Sequence, residues 1–158
     1  AENVDDPTVL KSFVEAFVEA PLPIIYPVHP RTRKRLRQQK MWSKLSSSRN
    51  VQILPPLGYF DFLVLMKNCE MMLTDSGGLQ EEATAPPIRR LVLVIRLSTE
   101  RPEAVEAGFA KVVGVEKGGI IAAMEQALSE RVELPRSSPY GDGTAAKKTV
   151  KVVIEEAF

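Results

Sequence analysis

The sequence predicts a three-layer α/β chain, an open and mostly parallel sheet with helices on both faces. Three observations carry that prediction. Strand-like runs of four or five residues alternate with helix-forming stretches along the whole length. The runs are continuously apolar rather than alternating, the pattern of strands covered on both sides. The 158 residues, 44% hydrophobic and 26% charged, have the composition of a globular domain long enough to bury a core without disulfide or metal staples.

Each element has a local cause. Asp5, Asp6 and Pro7 form a helix start, an acidic cap followed by Pro in the first turn. Leu10, Phe13, Val14, Phe17 and Val18 then follow the stripe of an amphipathic helix, which Pro21 and Pro23 stop. Ile24 to Val28 reads as a strand, with Pro27 expected at the end or edge of its pairing because it has no N–H. The basic segment from Thr32 to Lys44 reads as one helix, and Ser46-Ser47-Ser48 as a loop. Val51 to Leu54 is the next strand, closed by Pro55-Pro56. Tyr59 to Asn68 has helical apolar spacing, and Met71 to Thr74 is a strand. Asp75-Ser76-Gly77-Gly78 is a loop opening into a helix that starts at Leu79 and is broken by Pro86-Pro87. Leu91 to Ile95 is the most strand-like run. Helices at Arg101 to Ala107 and Gly119 to Leu128 flank a short strand, Lys111 to Val113. A last helix runs from Thr144 to Glu156 after the turn at Tyr140-Gly141-Asp142-Gly143.

Composition excludes several classes of function. One cysteine, Cys69, allows no internal disulfide, and one histidine, His29, argues against a zinc site of several His or Cys ligands. A lone histidine without a Ser or Asp motif nearby gives no support to a hydrolase triad, and His29 is expected to be a hydrogen-bond partner at a strand end. No stretch approaches the ~18 apolar residues of a membrane span, and the N-terminus lacks a signal-peptide pattern. The expectation is a soluble, cytoplasmic protein with no membrane partner. The net charge of +1 conceals a basic segment: eight cations and no acidic residue between Arg31 and Arg49, against 13 basic and 20 acidic residues elsewhere. Only Trp42 stands near these arginines, so the aromatic platform of single-strand binding is missing. Nucleic acid is not the expected partner, and the segment reads as a solvated helix face.

In an open parallel sheet, ligands bind beyond the carboxyl ends of the strands. The loop there with the most chemistry is Asp75-Ser76-Gly77-Gly78. Two glycines let backbone approach an anion closely, the following helix offers unpaired N–H groups, and Ser76 adds a hydroxyl. Glu81 and Glu82 are expected in the first helical turn, where the dipole favours carboxylates; a carboxylate there can also accept hydrogen bonds from sugar hydroxyls.

Several segments together go beyond these single motifs. Glu2-Asn3-Val4-Asp5-Asp6-Pro7, Pro27-Val28-His29-Pro30-Arg31-Thr32-Arg33, Thr74-Asp75-Ser76-Gly77-Gly78-Leu79-Gln80-Glu81-Glu82-Ala83, Thr99-Glu100-Arg101-Pro102-Glu103-Ala104 and Pro139-Tyr140-Gly141-Asp142-Gly143 resemble, in order and spacing, the C-terminal half of the UDP-N-acetylglucosamine 2-epimerases. The resemblance implies one Rossmann-like UDP-sugar-binding domain over residues 1–158, the C-terminal half of a glycosyltransferase-B fold. The family interconverts UDP-N-acetylglucosamine and UDP-N-acetylmannosamine by elimination and re-addition of UDP, with no cofactor and no metal. It implies further that Ser76, Gly77 and Gly78 hold the diphosphate and that Glu82 binds the ribose hydroxyls. Phe62 and Leu57 would line the uracil pocket, and Arg101 would approach the diphosphate or sugar side.

The implied partners are UDP or a UDP-N-acetylhexosamine, an N-terminal domain or separate subunit completing the cleft, and a further copy in a homo-oligomer. The wall facing that missing half is expected to expose apolar groups such as Phe62. The N-terminal half, with the family's proton-transfer residues, is expected to be absent and the chain inactive alone; the alternative is a free-standing nucleotide-sugar-binding or regulatory module. Pro86-Pro87-Ile88-Arg89-Arg90 replaces the family's usual Gly-Lys-Pro turn, Leu97 stands where Asp is common, and Leu57 stands where a polar residue is common.

Overall fold

The computed structural model describes residues 2–130 and 132–157. A short helix α1 (Glu2–Asp5) leads into α2 (Pro7–Val18), whose start is the one the sequence signals: Asp6 accepts from the amides of Thr8 at 2.7 Å and Val9 at 3.3 Å, with Pro7 at the first helical position. Then follow β1 (Ile24–Pro27), α3 (Pro30–Gln38), α4 (Trp42–Ser46), β2 (Val51–Leu54), α5 (Tyr59–Asn68), β3 (Met71–Thr74), α6 (Gly77–Glu82), β4 (Leu91–Val94), α7 (Pro102–Glu106), β5 (Ala110–Val112), α8 (Lys117–Glu130) and α9 (Ala145–Ala157).

Among the described residues the three strand pairings are all parallel, and they fall into two sheets. β1 pairs with β2, Ile24 opposite Val51 through Pro27 opposite Leu54. β4 lies between β3 and β5, with Met71 opposite Leu91 and Val92 opposite Ala110. Among the described residues no ladder joins β1 to β3, so the single sheet expected from sequence is two. Pro27, at the end of β1, has no N–H to donate across that gap.

β4 explains why its sequence is apolar throughout. Val92 and Val94 face a core made with Met66 of α5, Met72, Ala83, Ala104 and Ala110. Leu93 and the following Ile95 face the other way, into a core built from Phe13, Val14 and Phe17 of α2 and from Ile120 and Met124 of α8. Two helical layers thus sandwich the strands, and β1 and β2 close onto the second core through Val28 and Val51. None of the described helices is long and apolar enough to cross a membrane.

The structure corrects the reading of the basic segment. It is not one helix over Thr32 to Lys44 but two, α3 and α4, separated at Gln39–Met41. The Lys40 amide donates to the Arg37 carbonyl at 3.1 Å and the Met41 amide to that of Leu36 at 2.8 Å, with Lys40 at φ 56°. This is a Schellman ending, which usually takes glycine at the left-handed position; lysine there hides the stop. α3 begins on His29, whose Nδ1 accepts the Arg31 amide at 3.2 Å, a hydrogen-bonding role at the end of β1. The face of α3 is partly neutralised: Arg31 and Arg35 pair with Asp5, and Lys44 of α4 with Glu15. Arg33 and Arg37 instead lie over the Trp42 ring, at 4.9 and 5.4 Å from its centroid.

Candidate functional site

The carboxyl ends of the strands meet at one edge of the molecule. There Asn3 of α1 donates to Asp75 at 3.4 Å and to the Ile95 carbonyl at 3.1 Å, tying the chain start to the ends of β3 and β4. Beyond β3, the Ser76 amide donates to Thr74 Oγ1 at 3.1 Å, and the chain turns directly into α6. Helix therefore starts at Gly77, two residues earlier than the sequence reading.

Ser76 is the residue before α6, in extended conformation, exposed, and its side chain makes no capping hydrogen bond. The first-turn N–H groups of α6 accordingly have no side-chain acceptor at the position where Ser normally supplies one. A Cβ added to Gly78 would meet nothing within 4 Å, so no contact among the described residues demands glycine there. A Cβ added to Gly77 would lie 3.7 Å from Arg101 Cζ, which locates the guanidinium beside the loop.

Arg101 precedes α7. Its side chain forms an ion pair with Glu81 and donates to the Glu100 carbonyl at 2.9 Å. It is thus fixed against α6 by Glu81, rather than by the neighbouring Glu100 or Glu103 side chains. A second connection runs through Gln80, which is 0% exposed. Gln80 Nε2 donates to the Ser76 carbonyl at 3.2 Å, Thr99 Oγ1 donates to Gln80 Oε1 at 2.6 Å, and the Arg101 amide donates to Thr99 Oγ1 at 3.1 Å. Loop, helix and arginine form one connected unit.

The early start of α6 overturns one expectation. Glu81 and Glu82 are the last two residues of this helix, not members of its first turn. The macrodipole disfavours carboxylates at a C-terminal end. Arg101 offsets that for Glu81. For Glu82 nothing does: its Oε2 is buried without a hydrogen-bond partner among the described residues, a cost to the fold.

The two residues expected beside a base are both half-buried. Leu57 precedes α5, and Phe62 on α5 packs against the Met66–Val92 core. Phe62 is not the exposed apolar group of this wall, as the sequence reading had it. Tyr59, Phe60 and Val64 are exposed on the same helix, Phe60 at 80%, because the stripe that reaches the core runs through Phe62 and Met66. Leu97 is exposed in the loop after β4. Two open hollows lie away from the Ser76 loop. One, about 560 Å³, is at the opposite edge of the strands between Lys67, Pro87 and Arg90; the other, about 420 Å³, lies along α3 beside Arg33 and Arg37.

Gln80, Thr99 and Asn3 were not singled out by sequence reasoning. Gln80 carried one readable signal: it shares a helical phase with Ala83 and Thr84, so it is a polar residue on the inward face.

The family model for UDP-N-acetylglucosamine 2-epimerase matches residues 1–154. The chain belongs to that family. It is 40% identical over 157 residues to the UDP-N-acetylglucosamine 2-epimerase of Methanocaldococcus jannaschii, covering 97% of this chain and 42% of that protein. With the epimerase of Campylobacter jejuni the identity is 39% over 138 residues, 84% of this chain and 34% of that protein. The M. jannaschii epimerase solved in complex with UDP-GlcNAc and UDP superposes with a TM-score of 0.87 at 39% identity, over 98% of this chain and 43% of that one. The Neisseria meningitidis enzyme bound to UDP-GlcNAc gives 0.79 at 33% identity, over 98% and 41%. The chain thus spans about two fifths of the length of the epimerases it matches, and shares their α/β fold over that part.

Proposed function

We propose that residues 1–158 form the UDP-binding C-terminal domain of a UDP-N-acetylglucosamine 2-epimerase, one wall of a cleft whose other wall comes from an N-terminal domain or a separate subunit. The observation that carries this reading is Glu82. Its Oε2 has no hydrogen-bond partner among the described residues and the helix dipole opposes its charge, so the fold gives this half-buried carboxylate no evident use of its own, which supports a role in accepting from a ligand hydroxyl. A ribose diol provides two such donors, and the uncapped start of α6 lies one helix length away, suited to the diphosphate of the same molecule.

In this arrangement the amides of Gly77 and Gly78 and the Ser76 hydroxyl donate to diphosphate oxygens. Arg101, held by Glu81, adds positive charge on the same side. Glu82 accepts from the ribose, and Leu57 with Phe62 offers an apolar wall to uracil. The role of this domain in the reaction is then to bind the leaving group. When the bond from sugar C1 to UDP breaks, negative charge grows on the diphosphate, and fixed donors already aimed there stabilise it. The same grip retains UDP for re-addition on the opposite face.

Half a cleft leaves much of the ligand in water, so UDP binding to this chain is expected to be weak, with a dissociation constant on the order of 0.1–10 mM. Titration of UDP and of uridine into the chain, followed by NMR, tests the reading. Glu82→Ala is expected to weaken both ligands by a similar factor, since both carry the ribose diol. Unchanged affinities would sink the ribose assignment, and no UDP binding to the unsubstituted chain would sink the reading as a whole.

A further inference from the structure

We infer that Gln80 and Thr99 are positioning residues for the diphosphate grip, acting through hydrogen bonds to the Ser76 carbonyl and the Arg101 amide without touching ligand. The inference rests on the proposed UDP site and adds to it two residues that set its geometry.

The geometry is a relay. The amide side of Gln80 holds the carbonyl of Ser76 at 3.2 Å, and its oxygen takes the Thr99 hydroxyl at 2.6 Å. The Thr99 oxygen in turn accepts the Arg101 amide at 3.1 Å. The two ends of the relay are the two places where the site presents donors to an anion: the Ser76-Gly77 turn and the arginine that packs on Gly77. These come from different connections, one after β3 and the other after β4, separated by about a strand spacing of ~5 Å and by no backbone ladder beyond the strands' ends. A buried side chain bridging them fixes their separation, which is what simultaneous contact with two phosphates requires.

The relay also sets direction. The Ser76 carbonyl and the Gly77 N–H belong to the same peptide plane. Fixing the carbonyl toward Gln80 therefore turns the Gly77 N–H the opposite way, outward from the helix start. At the other end, holding the Arg101 amide fixes where its side chain leaves the backbone, and Glu81 fixes where the guanidinium finishes. The fully buried Gln80 side chain makes two of these bonds and is costly to leave half-satisfied, so the relay is a rigid element rather than a casual contact.

Ribose recognition lies elsewhere, on Glu82, and this separation supplies the test. The ratio of UDP to uridine affinity reports the diphosphate grip alone. Thr99→Val keeps the shape of the side chain and removes the hydroxyl; Thr99→Ser keeps the hydroxyl. Titrated by NMR, Thr99→Val and Gln80→Leu are expected to lower the UDP-to-uridine ratio by about tenfold while uridine affinity stays within twofold of the parent, and Thr99→Ser is expected to retain the parent ratio. An unchanged ratio in Thr99→Val and Gln80→Leu overturns the positioning role while leaving the UDP site intact. Equal weakening of both ligands, accompanied by a lower melting temperature, overturns it in favour of a merely structural role. Failure of the unsubstituted chain to bind UDP removes the site itself and the inference with it.

Discussion

Tyr26 sits inside the fold near the same strand ends as the site. Burial first, and then the Asp75 carboxylate, push its phenol up to about 12, against a hydrogen bond with Thr32. In the unfolded chain such a phenol ionises near 10. Between those values the unfolded state has lost a proton that the folded state keeps, so this contribution to stability is full below about pH 10 and lost as pH rises toward 12. Chemical denaturation across that range checks it: Tyr26→Phe is expected to show a shallower alkaline decline than the parent, by at most about 3 kcal/mol. At this scale the sequence was legible where chemistry is local. Ser76, Gly77 and Gly78 can be singled out as candidates from the sequence alone, a serine and paired glycines at a strand end that lead into a helix. Gln80 cannot, since its hydrogen-bond partner Thr99 lies nineteen residues away in the chain, and a long-range partner leaves no trace in spacing.

Strands and most helices were legible to within a residue or two because prolines, glycines and β-branched runs punctuate them. Tyr59–Asn68 and Met71–Thr74 fall where expected. The end of α3 did not, since lysine occupies the left-handed position of its Schellman turn. A side chain there costs roughly 1–2 kcal/mol against the right-handed alternative, and glycine escapes that cost while losing some unfolded-state entropy. Lys40→Gly is therefore expected to stabilise the chain by up to about 1 kcal/mol, read as a rise of about 2–4 °C in Tm by calorimetry. A fall in Tm would show that Lys40 contributes contacts beyond its backbone angle. The start of α6 was misread for a related reason: glycines suggest a loop, yet here the helix opens on them.

For the molecule as a whole, the proposed grip on a leaving group would not by itself be a reaction. Epimerisation requires a base within hydrogen-bond reach of the C2 proton, and two carboxylates close to the Ser76 loop in sequence already have partners. Glu81 is paired with Arg101 and Asp75 is held by Asn3. Binding that does not favour the transition state lowers no chemical barrier. The 158-residue chain is expected to leave UDP-N-acetylglucosamine unchanged in deuterated water, with neither deuterium at C2 nor the manno epimer above a no-protein control. Exchange that Ser76→Ala or Glu82→Ala abolishes would show that this domain carries its own base. The two-sided packing of β4 was foreseeable at this scale from its unbroken apolar run; the gap between β1 and β3 was not, because ladder formation depends on how neighbouring strands approach.

The corner between α3 and α4 has an optical consequence. Trp42 is the sole tryptophan of the chain, and the guanidinium groups of Arg33 and Arg37 lie over its ring. Indole emission shifts with the charge close to the ring, so the intrinsic fluorescence of this protein reads the electrostatics of that corner, at the far end of α3 from His29. Its colour is expected to follow ionic strength and to change when Arg33 or Arg37 is replaced.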